Sequence, residues 1–163
     1  MRVINKIILS SMYILSFIFA TNNDHVMVNV LEQDKSHVVI EYIISDFNVS
    51  DIAVKNEIYQ DIDLIDEPDF LNKYAPKLPH INRSLIIPDL SSMSVRILES
   101  SFDEYTNINV LPSKGNPRRN VDINKIPYIK GPVYTLNEDY PGNLVYVDDP
   151  YVLRDYRAQV LQI

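Results

Sequence analysis

Three basic side chains, Lys114, Arg118 and Arg119, fall within six residues of a chain whose acidic residues outnumber its basic ones by 22 to 15. Pro112 and Pro117 stiffen the backbone around them. On composition alone this is a solvated basic loop that offsets nearby carboxylates. The alternative is an exposed loop that offers a guanidinium to an acidic pocket. Arginine suits that task because its planar fork pairs bidentately with a carboxylate.

The other reactive residue types form no such pattern. There is no cysteine, so the chain holds no thiol nucleophile and no disulfide. The acidic stretch Asp61, Asp63, Asp66, Glu67 and Asp69 lacks the glycine turn and twelfth-position glutamate of an EF-hand loop, and reads as the solvated side of a strand and its loop. His25, His37 and His80 do not have metal-ligand spacing. Asn48-Val49-Ser50 and Asn82-Arg83-Ser84 are glycosylation sequons in form. Carboxylates are plentiful, but no local pattern selects an acid–base pair. The reading is non-catalytic, with no metal and no cofactor.

The N-terminus is of a different kind. Arg2 and Lys6 precede an apolar run, Ile7 to Ala20, broken only by serines, and Ala20 is followed by polar Thr21-Asn22-Asn23-Asp24. That order predicts a secretory signal peptide over residues 1–20. A membrane anchor is the alternative, but the run of 14 residues is short of the ~20 a spanning helix needs. Residues 21–163 hold 13 basic and 22 acidic side chains, a formal charge of −9. Such a domain repels nucleic acid and anionic membranes, so neither is expected as a partner once the signal is removed. An exported domain without disulfides has to rely on its hydrophobic core.

The elements that must position the basic loop read as strands. Tyr, Val and Ile are abundant, glycines number three, and ten prolines punctuate the chain. His25–Glu32 alternates, with Val26, Val28 and Val30 on one face, and after the polar turn at 33–36 the segment 38–45 completes a hairpin. Two short strands lie between 52 and 64, and a helical turn is expected near Phe70–Tyr74. Leu85–Pro88, Ser94–Glu99, Tyr105–Leu111, Leu144–Val147 and Tyr151–Leu161 follow as strand candidates. The last of these would place Leu153, Asp155 and Arg157 on one face, with Asp155 paired to a base. The spacing predicts an all-β, antiparallel β-sandwich of jelly-roll type, with Val28, Val30, Val39, Ile86, Val95, Ile97, Val145 and Leu153 in its core.

Three stretches together resemble the N-terminal prodomain of gingipain-type cysteine peptidases, which cleave after Arg or Lys. The first holds Leu78-Pro79, Arg83-Ser84-Leu85 and the Val95/Ile97 segment. The second runs from Leu111-Pro112-Ser113-Lys114-Gly115 through Arg119 to Ile126-Pro127-Tyr128 and Gly131. The third is Tyr140-Pro141-Gly142-Asn143-Leu144, then Asp149 to Arg157 with Arg154 and Asp155, and Gln159. The likeness is close over 76–163 and extends to 25–75 only as strand pattern.

The resemblance implies a β-sandwich that assists folding of a cognate peptidase domain and blocks its cleft. It also implies that a basic side chain four residues after Gly115 enters the S1 pocket. That position is Arg119, with Arg118 beside it; Lys114 and Gly115 belong to the same loop. Arg83, Pro141, Gly142, Arg154, Asp155 and Arg157 then carry structure rather than chemistry. The family commonly has glycine where Ala158 stands. The resemblance further implies that more prodomain, and then a catalytic domain, follows Ile163, so the sandwich is expected to be incomplete at its C-terminal end. Two other readings remain open on the residues. One is the N-terminal fragment of a gingipain-like endopeptidase whose catalytic domain lies outside this chain. The other is a jelly-roll module that binds a surface or carbohydrate, supported by fold analogy alone and weakened by the lack of tryptophan.

Overall fold

The computed structural model describes residues 25–163; the expected signal peptide lies outside them. Eight strands and two 3₁₀ turns make up the regular structure: β1 (Val26–Gln33), β2 (Val38–Ile44), β3 (Asn48–Val54), β4 (Glu57–Asp63), β5 (Asn82–Ile86), β6 (Tyr146–Val147), β7 (Tyr151–Leu153) and β8 (Tyr156–Gln162). Every strand pair is antiparallel, so the all-β, antiparallel expectation holds. No helix among the described residues is long and apolar enough to cross a membrane.

The N-terminal half is two hairpins. β1 pairs with β2 around the turn at 34–37, where the Asp34 carboxylate accepts from the backbone N–H groups of Ser36 and His37. Those bonds pull the Asp34 pKa down to about 2. β3 pairs with β4 around Lys55 and Asn56, Lys55 lying at positive φ. The C-terminal half is one four-stranded sheet with β8 between β5 on one side and β6 and β7 on the other. Backbone bonds between Ile81 and Ile163 extend the β5–β8 ladder. Both sides of β8 are paired, which explains why consecutive residues Ala158 and Gln159 are buried. Gln159 is hydrogen-bonded at both ends, accepting from Met93 N–H and donating to the Asp148 carbonyl. Ala158 sits in regular strand paired with Ile86, away from the left-handed region, so alanine fits there unstrained.

The core is centred elsewhere than expected. It consists of Tyr59 and Leu64 at β4, Ala75 and Ile81 in the segment before β5, Leu111, and Ala158 and Leu161 of β8. Val39 and Val145 are half-buried, but Val28, Val30, Ile86, Val95, Ile97 and Leu153 are exposed. Alternation selects a face; burial also requires a layer to cover it. The hairpin β1–β2 pairs with no other strand among the described residues. Ile86 and Leu153 sit at strand ends, and no strand forms at 94–99, so Val95 and Ile97 have no common face to bury. The 105–111 strand reduces to a single bridge from Val110 to Gln60. The helical turn expected near Phe70–Tyr74 is instead a turn closed by Ala75 N–H on the Asn72 carbonyl. Tyr151–Leu161 is two strands. Arg154 and Asp155 form the two-residue turn between them, with Arg154 at φ 56°. Asp155 therefore does not share a strand face with Leu153 and Arg157, and it has no ion-pair partner among the described residues.

Candidate functional site

The segment from Leu111 to Gly131 is a long loop with a stiff base. Its incoming arm is buried at Leu111, Pro112 and Ser113. Leu111 N–H donates to the Gln60 carbonyl of β4, and the Leu111 carbonyl accepts from Lys77 N–H. Next to it, Ser113 N–H donates to Ala75 C=O and Tyr74 N–H to Ser113 C=O. Tyr74, at φ 70°, also accepts from Gly131 N–H through its own carbonyl at 2.8 Å. One residue thus fastens both arms.

Glycine is required at both ends of this clamp. A Cβ on Gly115, already at φ +78°, would lie 2.9 Å from Lys73 Cβ. A Cβ on Gly131 would lie 2.9 Å from both the Cβ and the carbonyl oxygen of Tyr74. At Gly131 the backbone approach, not the dihedral, excludes a larger residue.

Beyond the base, Lys114 turns inward. Its Nζ donates to the Ile123 carbonyl at 3.0 Å and lies 4.1 Å from the centre of the Tyr128 ring. Arg118 and Arg119 make no such contact among the described residues. Val121 N–H closes a β-turn on the Arg118 carbonyl at 2.9 Å, which puts Arg119 and Asn120 at its two central positions. Both arginines are exposed, and neither guanidinium has a hydrogen-bond or ion-pair partner among the described residues. The acid nearest in sequence, Asp122, caps the following 3₁₀ turn (Ile123–Lys125) by accepting from Asn124 N–H. Of the four residues placed in this loop from the sequence, Arg118 and Arg119 reach the tip, while Lys114 and Gly115 belong to the base.

The remaining motif residues are dispersed over the fold. Arg83 of β5 makes a two-pronged contact with Glu67, and hydrogen bonding to that carboxylate raises the guanidinium pKa. The Arg157 Nε donates to the Ser91 carbonyl and holds the turn after β5. Pro141 and Gly142 lie in the turn before β6, where the Pro141 carbonyl accepts from the Tyr146 hydroxyl. The acidic stretch is not simply solvated. Asp61 and Asp69 both meet Lys77, at 2.6 and 3.2 Å, and Glu67 meets Arg83. Burial works to lower the Lys77 pKa, but these two carboxylates outweigh it and raise it. His80 is buried and stacked 4.5 Å from the Phe70 ring. Burial lowers its pKa despite nearby Asp69 and Glu67, which favours the neutral imidazole. The sequence reading missed the Tyr74 clamp, the Gly131 close approach and the inward Lys114–Tyr128 contact. Only Gly131, next to Pro132, carried a local turn signal.

Known proteins resemble this chain in sequence and in fold. Gingipain R1 of Porphyromonas gingivalis is 44% identical over 89 residues, covering 55% of this chain and 9% of that protein. Gingipain R2 of the same organism is 28% identical over 134 residues, 82% of this chain and 18% of that protein. The chain thus spans less than a fifth of the length of either relative. A solved complex of the P. gingivalis RgpB pro- and mature domains superposes with a TM-score of 0.77 at 27% identity, covering 83% of this chain and 71% of that one. The family model Propeptide_C25 matches residues 20–163. The chain has no cysteine, and it belongs to the Propeptide_C25 family as a prodomain, not a peptidase catalytic domain.

Proposed function

We propose that residues 21–163 form an exported propeptide domain that binds a gingipain-like cysteine peptidase domain, assists its folding, and inhibits it by placing the 112–131 loop in the active-site cleft with Arg119 in the S1 pocket. The observation that carries this reading is the pair of exposed guanidinium groups, unpartnered among the described residues, on a β-turn at the tip of a loop clamped at both ends. A loop fixed in this way loses little conformational entropy on binding. The likeness to a prodomain that was solved together with its mature domain supports a peptidase as the partner.

The test is direct. The chain, added to a mature arginine-specific gingipain-type peptidase, should slow hydrolysis of an arginyl peptide substrate and co-elute with the enzyme. Full activity at saturating chain, with no complex on gel filtration, would overturn the proposal. Export by residues 1–20 belongs to the same reading. N-terminal sequencing of exported material should begin close to Thr21, and Met1 retained in a membrane fraction would count against it.

A further inference from the structure

Lys114 is used differently from the basic residues that pair with carboxylates. Lys77 sits against Asp61 and Asp69, Lys130 against Glu57, and Arg83 against Glu67. Among the described residues Lys114 meets no carboxylate, although the chain holds 22. Its ammonium instead crosses the loop from the incoming arm, lies over the half-buried Tyr128 ring of the returning arm, and donates to the Ile123 carbonyl. An ammonium gives up hydration to lie there, and the aromatic face and carbonyl dipole replace part of it.

The backbone makes this contact consequential. From residue 116 to 130, the backbone hydrogen bonds given by the loop stay inside the loop: Val121 to Arg118, Lys125 to Asp122 and Ile126 to Ile123. The clamp at Tyr74 fixes the two ends, but among the described residues no main-chain bond fixes how the tip is aimed. Lys114 is rooted in the clamp beside the buried Ser113 and Gly115, so its side chain ties the distal half of the loop to the domain.

We infer that Lys114 and Tyr128 are positioning residues that aim the Arg118–Val121 turn before a partner arrives. This rests on the inhibitory reading for its consequence but not for its geometry. A loop that holds the binding-competent form only part of the time has its apparent affinity reduced by that fraction.

The experiment compares the wild-type chain with Lys114→Met and Lys114→Arg, by amide hydrogen exchange of the free chain and by inhibition kinetics. Lys114→Met should speed exchange at 116–126 while thermal unfolding stays where it was. It should also weaken inhibition by about tenfold, mostly through slower association. Lys114→Arg, which keeps a cation over the ring and donors for the carbonyl, should restore both. Unchanged exchange in Lys114→Met overturns the inference, whatever happens to inhibition, since a loss without loosening would mean that Lys114 touches the enzyme itself. Faster exchange in Lys114→Met, restored by arginine, supports the brace even if the wild-type chain inhibits nothing; only the inhibitory reading would then fall.

Discussion

Arg119→Ala is expected to weaken inhibition of an arginine-specific gingipain-type peptidase by roughly 30-fold to several thousand-fold, and Arg118→Ala by much less. A peptidase that cuts after arginine needs an S1 carboxylate, and a guanidinium that enters such a pocket makes a charge-assisted, bidentate contact. Losing one side of a buried charge pair commonly costs ~2–5 kcal/mol in binding. The turn separates the two neighbours. The Arg118 carbonyl accepts the closing bond, whereas Arg119 is the first central residue of the turn. Thermal stability should barely change, because both side chains are exposed and have no partner among the described residues. Arg119→Lys should fall between wild type and alanine, since an ammonium keeps the charge but loses the fork. Equal inhibition by wild type and Arg119→Ala would remove Arg119 from the mechanism. A larger loss at Arg118 would move the S1 residue back by one. If both alanine variants inhibit fully, the domain obstructs the cleft by bulk alone.

What could be read from the sequence divides along physical lines. The hairpins β1–β2 and β3–β4 are local: alternating apolar residues flank a polar turn, and Asp34 caps its own backbone two and three residues on. The pairing of β5 with β8 joins Arg83 to Leu161, a distance in sequence that no window sees. The alternation at Val95 and Ile97 was genuine, but among the described residues no strand lies beside it. The β7–β8 turn was invisible because an arginine, not glycine or asparagine, occupies its left-handed position. In the loop, the basic tip was legible from composition and from resemblance. The clamp at Tyr74 was not, because a tyrosine at positive φ leaves no local trace and only its partners Ser113 and Gly131 explain it. Charge and spacing group Lys114 with the arginines. Its inward direction depends on Tyr128 and Ile123, nine and more residues away.

The second large effect concerns stability rather than binding. Arg83→Met should destabilise the domain by about 3 kcal/mol, whereas Arg83→Met combined with Glu67→Met should cost much less than the sum of the two single changes. The Glu67 side chain is only 7% exposed and Arg83 34%, so the carboxylate has little water to fall back on when the guanidinium is removed. Its two oxygens are each met by a guanidinium nitrogen, and Arg83 also donates to the Asn82 carbonyl. The pair thereby ties β5, and through it β8, to the segment after β4. Methionine keeps most of the side-chain volume, so the loss reports the orphaned charge more than a cavity. Removing both charges leaves no such orphan, which is why the double change is milder. Arg83→Lys should land in between, because one ammonium cannot satisfy both oxygens at once. Urea denaturation of the four proteins gives the coupling energy directly. A single Arg83→Met change within about 0.5 kcal/mol of wild type would mean that water reaches Glu67 readily, and that the ion pair adds nothing to the fold.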